Sequence, residues 1–402
     1  GSVIEEWNPI TKKGEKSTSL EVPLWLIYAI CEYIKETKDI SLLNENIKFQ
    51  DATKETLLVH CRKVLDRVID SLGKKGLPPM LSGDYLDKLD GVAKDSKGES
   101  VWLCEFLIYI LREFIGVCEF AGESKLAADY EARLKKIVEK FKKIAWDKDR
   151  FTRAVSHSGK VVGVSKGKNA RLFLDSQLWS IISGVCDEDV APELMDTVRE
   201  NCYKSHGPIG VWPAYREYDE DVGTLSKLPA GIMENAGVSV ESACWAIWVE
   251  TMLGRAKEAW HIYSRLDPVD RSHKSDLYQL EPFVAPEYID DEDAPTNGRA
   301  RNSWYNRSAY WMFKVMVENI LGIKPTFEGL EVSPCIPNRW RLFRLRRAFR
   351  NAYYNIEVVN PRYVSQGVVE ISVDGKKMDS NIIPDFQDEK RHNVKVVMGK
   401  VK

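Results

Sequence analysis

No run of about 18 apolar residues occurs in the 402-residue chain, so the sequence offers no helix to cross a bilayer. Charge of one sign is lacking too. The 58 Lys and Arg nearly balance the 60 Asp and Glu, leaving a formal net charge of −2, which gives no reason to expect a nucleic-acid or acidic-membrane partner. There is no Gly-rich phosphate loop and no dinucleotide fingerprint. No signal peptide opens the chain. The six histidines contain no pair at metal-ligand spacing. The same is true of the eight cysteines, Cys31, Cys61, Cys104, Cys118, Cys186, Cys202, Cys244 and Cys335, so neither a metal nor a cofactor is expected. Most of those cysteines lie in apolar helical runs and read as reduced core thiols in a cytoplasmic protein.

Aromatic residues are plentiful: 12 Trp and 16 Tyr. Several, including Trp7, Tyr85, Trp212, Tyr215, Tyr218, Trp304 and Tyr305, fall in polar or Gly/Pro-containing segments. Sugar rings present apolar faces that stack on aromatic planes, so loop aromatics beside carboxylates suit a carbohydrate cleft as well as a protein interface. Helical periodicity dominates residues 20–325. Runs that are apolar all round (from Pro23, then 99–121, 176–185, 237–253 and 303–321) alternate with amphipathic ones (54–72, 124–145, 191–204, 255–266). Two concentric layers of helices need this alternation, so the spacing predicts a mainly α chain whose residues 1–325 form an (α/α)6-toroid-like domain. Nine helices are counted where a closed six-hairpin toroid has twelve, so the toroid is expected to be incomplete. After Pro325 short β-branched runs and the turns Asn360-Pro361 and Asp374-Gly375 predict a small antiparallel β module over 326–402. The basic run Arg339–Arg347, with Trp340 and Phe343 interleaved, reads as a solvated strand face rather than a nucleic-acid surface.

In a helical toroid the ligand site lies where loops feed the N-termini of the inner helices. Three loops there carry chemistry. Gly76–Asp90 places Asp84, Tyr85, Asp87 and Asp90 ahead of the buried run opening at Gly98-Glu99-Ser100. A loop carboxylate walled by aromatics and other carboxylates can stay protonated and serve as the acid that glycosidic cleavage needs, although an Asp-rich turn that caps a helix has the same spacing. Leu228–Gly237 brings Glu234 and Asn235 to another buried helix, followed by Glu241 in its first turn, where the helix dipole favours a carboxylate. Arg299–Ser308 brings Trp304, Tyr305, Asn306 and Arg307 to the last one. Gln177, in the buried run 176–185, joins the candidate sugar contacts.

Taken in order, these segments resemble the cellobiose/chitobiose phosphorylase family, glycoside hydrolase family ninety-four, including the matching domains of cyclic β-1,2-glucan synthases. Gly76-Leu77-Pro78 through Asp87 and Gly98-Glu99-Ser100-Val101-Trp102 are similar to its "GLP…GDWND…GESVW" block, Gly231–Asn235 to "GIREN", Ser303–Met312 to "TWYTGSAGWMY" and Pro334-Cys335-Ile336-Pro337 to "DPCIP". The resemblance implies an inverting enzyme acting on a β-linked oligosaccharide. Asp87 would be the general acid, and Asp84, Tyr85 and Glu234 would contact the sugar. It also implies a homodimer, and an N-terminal β-sandwich and first toroid helices that are absent from this sequence; a longer native chain, a second chain supplying that part, or an open toroid are the alternatives that would account for them.

The family attacks with inorganic phosphate, held by a His past the "EN-G" motif and by the "TG" pair. Those positions are Glu241 and Asn306-Arg307 here. A carboxylate ~4 Å from a dianionic phosphate costs on the order of several kcal/mol at an effective dielectric near 20, whereas the same group could deprotonate water. Hydrolysis with Glu241 as base is therefore the leading expectation. The alternatives are phosphorolysis through an anion site rebuilt on Arg307 and Asn306, and a non-catalytic sugar-binding or scaffolding remnant.

Overall fold

A computed structural model of the chain describes residues 1–49, 53–304 and 306–400. Five helices form the most buried layer: α1 (Glu21–Thr37), α3 (Val101–Phe120), α5 (Leu174–Ile182), α7 (Val240–Met252) and α11 (Ser308–Lys314, continued by a π-helical turn, Val315–Ile320). Of these, α1 exposes Leu26 and Tyr33 and α11 exposes Tyr310 and Phe313, so these two are not buried all round as their apolar runs suggest. Every residue of α5 is buried, as is α7 from Val240 to Glu250. Four others bury one stripe only: α2 (Leu57–Asp70), α4 (Ser124–Ala145), α6 (Ala191–Cys202) and α8 (Ala256–Leu266). In α2 the stripe is Leu57, Cys61, Val64, Leu65 and Val68, at the three- and four-residue intervals that face one neighbour. All nine expected helices are present, with ends shifted by a few residues. Two short ones, α9 (Pro268–Ser272) and α10 (Ser275–Tyr278), were not anticipated.

The five buried helices pack in chain order, and the last returns to the first. Each contributes one large aromatic to a closed circuit. Trp25 of α1 lies 4.3 Å from Phe106 of α3 between ring centroids, and Phe106 lies 5.2 Å from Trp179 of α5. Trp179 is 5.3 Å from Trp245 of α7, Trp245 is 5.9 Å from Trp311 of α11, and Trp311 is 6.2 Å from Trp25. Edge-to-face and tilted pairs at these separations each add about 0.5–1.5 kcal/mol beyond area burial. The α11–α1 seam is reinforced by the Tyr28 and Tyr310 hydroxyls, 3.1 Å apart, and by the buried Lys314 ammonium, which donates to Glu32 at 2.5 Å and Glu318 at 2.6 Å.

The β module begins with a three-stranded antiparallel sheet of Ile323–Pro325, Gly329–Val332 and Ile382–Pro384. A five-stranded sheet follows, in the order Leu342–Phe349, Ala352–Val359, Arg391–Met398, Val368–Val373, Lys376–Lys377. This corrects the expectation of a purely antiparallel module: Ala352–Val359 and Arg391–Met398 run parallel. The Arg350-Asn351 turn, with both φ angles positive, folds the first two strands into a hairpin. The segment after Asn360 then builds the far edge of the sheet before the last strand inserts between. The module docks at the C-terminal end of α1, where Arg350 donates to the Lys35 carbonyl at 2.8 Å and Arg347 to Glu36 at 2.5 Å. Trp260 of α8 packs on Trp340 at 4.9 Å. All eight cysteines are buried and unbridged. Among the described residues no helix is long and apolar enough to cross a membrane.

Candidate active site

The N-termini of all five inner helices gather at the end away from the β module. Each brings a polar side chain: Glu21 in the first turn of α1, Ser100 capping α3, Asp175 in the first turn of α5, Ser239 capping α7 with Glu241 behind it, and Arg307 at the head of α11. The three carboxylates sit where the helix dipoles favour negative charge.

The loop carrying Asp87 is pinned to these termini. Asp84 is buried and takes a two-pronged ion pair from Arg153, 2.8 Å at each oxygen, while the Ser100 hydroxyl donates to it at 2.6 Å. The same serine accepts from Leu103 N to cap α3. Arg153, fully buried, also donates to Asp175 at 2.8 Å. One residue on, the Tyr85 hydroxyl lies 2.8 Å from Ser239 Oγ and 2.6 Å from Ser242 Oγ of α7, and its ring rests on Trp245 at 4.7 Å and Trp102 at 5.5 Å. Farther along, Glu234 accepts from Lys88 N at 3.0 Å, Leu225 N donates to the Lys88 carbonyl at 2.7 Å, and Asp90 accepts from Thr224 N and its hydroxyl. Asp84 and Tyr85, read from the sequence as sugar contacts, are thus held by protein on every polar atom. They act as anchors that leave Asp87 exposed at the mouth between them and Lys88.

Asp87 has a carboxylate neighbour in Glu234. Burial pushes the Glu234 carboxyl up to about 8, with the Asp87 charge adding to the push and the Lys88 N–H opposing it. Asp87 also acts on Tyr288, whose hydroxyl burial raises well above its ordinary value, and on Arg307. Across the mouth, Arg307 stands between two buried glutamates. Its Nε lies 3.1 Å from Glu241 Oε2 and its Nη1 lies 3.9 Å from Glu21 Oε1. Each glutamate is also gripped by an indole: Trp311 Nε1 donates to Glu241 at 2.8 Å and Trp25 Nε1 to Glu21 at 2.7 Å. Burial outweighs both favourable partners in each case, raising Glu241 above its ordinary range and Glu21 to about 7. Glu21 was not singled out in the sequence. The available signal was its place at the start of a buried helix with Trp25 one turn on.

Other candidates lie elsewhere or serve the scaffold. Gln177 is completely buried, accepting from Phe151 N at 2.8 Å and donating to the Phe151 and Phe173 carbonyls at 2.9 Å each. No polar atom remains for a sugar. Asn235 is likewise spent, accepting from Tyr215 N and donating to the Tyr215 and Leu228 carbonyls, which shapes the turn ahead of α7. That turn needs Gly237, where a Cβ would meet the Met233 carbonyl oxygen at 2.5 Å. Asn306 donates to the Ala285 and Asn302 carbonyls and accepts from Ser308 N. Trp304 is 76% exposed, its indole donating to Glu281, and is open to a ligand. Tyr305 lies outside the described residues. Of the other loop aromatics, Tyr215 is buried against Arg171, and Tyr218 is exposed under Lys227. Beneath Tyr85 and Glu234 lies a cavity of about 10 Å³, bordered also by Tyr288 and Asp175, room for one water. Among the described residues no group of three or more His, Cys, Asp or Glu is placed to hold a metal ion.

Residues 3–322 match the Glycosyl hydrolase 94 superfamily, catalytic domain. The chain belongs to that superfamily. N,N'-diacetylchitobiose phosphorylase of Vibrio proteolyticus is 28% identical over 96% of this chain and 48% of its own length. Solabiose phosphorylase of Paenibacillus borealis is 27% identical over 99% and 51%. Cyclic beta-(1,2)-glucan synthase NdvB of Rhizobium meliloti is 27% identical over 92% of this chain but 14% of its own. The chain thus spans about half the length of the phosphorylases it matches. Among solved structures, a sialidase superposes with a TM-score of 0.61 over 94% of this chain and 34% of its own, at 12% identity. A GH78 family rhamnosidase of Bacillus sp. GL1 does so with 0.56 over 85% and 33%, at 13% identity. Both share the fold.

Proposed function

We propose that the five inner helices form the wall of an (α/α) toroid whose mouth cleaves β-glycosidic bonds of an oligosaccharide with inversion, by hydrolysis. Asp87 protonates the departing oxygen, and Glu241 takes a proton from the attacking water. The observation that carries this reading is the anchoring of Asp87. The residues on its N-terminal side are locked to two helix caps, and the residue after it is locked to Glu234, so one exposed carboxyl is held among buried ones. A buried glutamate with a raised pKa suits a general base working near neutrality. An inverting pair needs room for water between the two carboxyls, roughly 6.5–9.5 Å. Glu234, Glu21 and the exposed Trp304 line the sugar path in this reading, which includes a cytoplasmic setting for the unbridged thiols.

Hydrolysis is preferred over phosphorolysis for two physical reasons. Arg307 already faces two glutamates, so an incoming phosphate meets their charges at a cost on the order of several kcal/mol. The Asn306 amide is used up within its own loop. The second reading, phosphorolysis, keeps one observation in its favour: the Arg307 side chain is 50% exposed and could receive an anion. The deciding experiment incubates the protein with β-linked disaccharides and oligosaccharides, with and without inorganic phosphate, and follows product anomers by NMR. Hydrolysis predicts release of the inverted α-anomer at a rate indifferent to phosphate. Sugar 1-phosphate formed in proportion to phosphate overturns it, and no turnover by either route leaves the sugar-binding remnant.

A further inference from the structure

A spacious cleft opens away from the helical mouth. It lies on the outer face of the five-stranded sheet, has a volume of about 740 Å³, and falls within the range of ligand sites. Its floor is built in two rungs by strand register. One rung aligns Arg346 with Asn355 and Asn393. The next aligns Arg344 with Glu357 and Lys395, and Ser372 pairs beyond Lys395. Rungs two residues apart are separated by about 6.7 Å along the strands, and neighbouring strands by about 4.8 Å.

The polar inventory of this floor is one-sided. Glu357 is its sole acid and is taken by Arg344, 2.7 Å away. The Asn355 amide donates to Asn393 Oδ1 at 3.1 Å, which leaves the Asn393 amide hydrogens pointing to no partner. Among the described residues no ion pair engages Arg346 or Lys395. The floor therefore offers a guanidinium, an ammonium, an amide and the Ser372 hydroxyl as donors, with little to accept in return. Two further features narrow the occupant. No aromatic lines the cleft to stack a nucleobase. Its donors spread over a plane rather than along a line, as the substituents of a pyranose do.

We propose that this sheet face is a binding site for an acidic oligosaccharide, whose carboxylates pair with Arg346 and Lys395 and whose hydroxyls meet Asn393 and Ser372. It is separate from the helical mouth and does not depend on the reaction assigned there. Both cations are solvent-exposed, so their replacement leaves the core intact.

The test is isothermal titration of the full chain with a uronic-acid oligosaccharide, its neutral counterpart of equal length, an oligoglutamate peptide and a short oligonucleotide. The proposal expects saturable binding of the uronate, weakening as salt rises. It expects affinity at least about tenfold lower for the neutral sugar and for the R346Q/K395Q variant, with unchanged circular dichroism and thermal midpoint. Uronate binding that survives R346Q/K395Q, equal binding of the neutral sugar, tighter binding of the peptide or oligonucleotide, or no binding at all overturns it. A D87N background, which removes the proposed acid, keeps titration apart from turnover: the sheet-face affinity must be the same there, and a loss would place the ligand at the mouth.

Discussion

Arg307 Nε lies 3.1 Å from Glu241 Oε2, so the residue proposed as base has a cation set directly against it. The guanidinium is the largest influence opposing the burial that raises Glu241. Replacing it in R307Q removes that support and drives Glu241 higher. A base must be ionised to work, so the acidic limb of the kcat/KM profile is expected to move to higher pH in R307Q, with activity partly recovered in alkali. A limb that stays in place would show that Glu241 is not the group titrating.

Loss of either partner of the proposed acid–base pair should fall on turnover. D87N and E241Q are each expected to lower kcat by about 10²–10⁴-fold, the span of general acid–base contributions, with KM little changed. E241Q keeps an oxygen for the Trp311 indole, so its unfolding midpoint should stay near that of the parent. A drop in stability as large as the drop in rate would assign Glu241 to the scaffold.

The Asp84–Arg153–Asp175 triad is buried, and breaking one partner of such a group costs about 3–5 kcal/mol. R153M, which strands two buried carboxylates, is expected to lose stability on that scale in urea unfolding. D84N/R153M should lose less than the sum of the single changes, because neutralising Asp84 relieves part of what R153M leaves behind. Strict additivity would refute the coupling.

Glu234 provides a pH signature. Its folded pKa of about 8 lies above the ordinary carboxyl value of 4.5, so the folded state holds a proton that the unfolded chain releases. The stability linked to that proton is fully present below about pH 4.5 and drains away as pH climbs through 8. E234Q keeps the neutral form throughout. It should match the parent near pH 4 and exceed it by about 2–4 kcal/mol at pH 9, measured by chemical denaturation. Parallel curves for the two proteins would exclude a buried, proton-holding Glu234.

The helices were legible because apolar periodicity reports burial directly, and the alternation of all-round and one-sided runs separated inner from outer helices. The site was legible as three loops but not as individual contacts. Sequence spacing places Asp84, Tyr85, Gln177 and Asn235 beside buried helices. It does not say whether their polar atoms face a ligand or the protein, and in all four cases protein groups claim them. Glu21 escaped because its partner Arg307 is 286 positions away in sequence, a separation no local pattern bridges. The parallel strand pair escaped for the same reason: Ala352–Val359 and Arg391–Met398 alternate alike whichever way they run.

The circuit of Trp25, Phe106, Trp179, Trp245 and Trp311 has a further meaning for traffic. Indole and phenyl rings meeting edge-on or tilted across the centre act as a stopper, which would make the proposed toroid a cup and not a pipe. In the reading proposed above, whatever enters over Asp87 must back out the way it came, so a long polymer would present only its tip, and trimming from an end, one short unit at a time, would be the mode of attack of such a vessel.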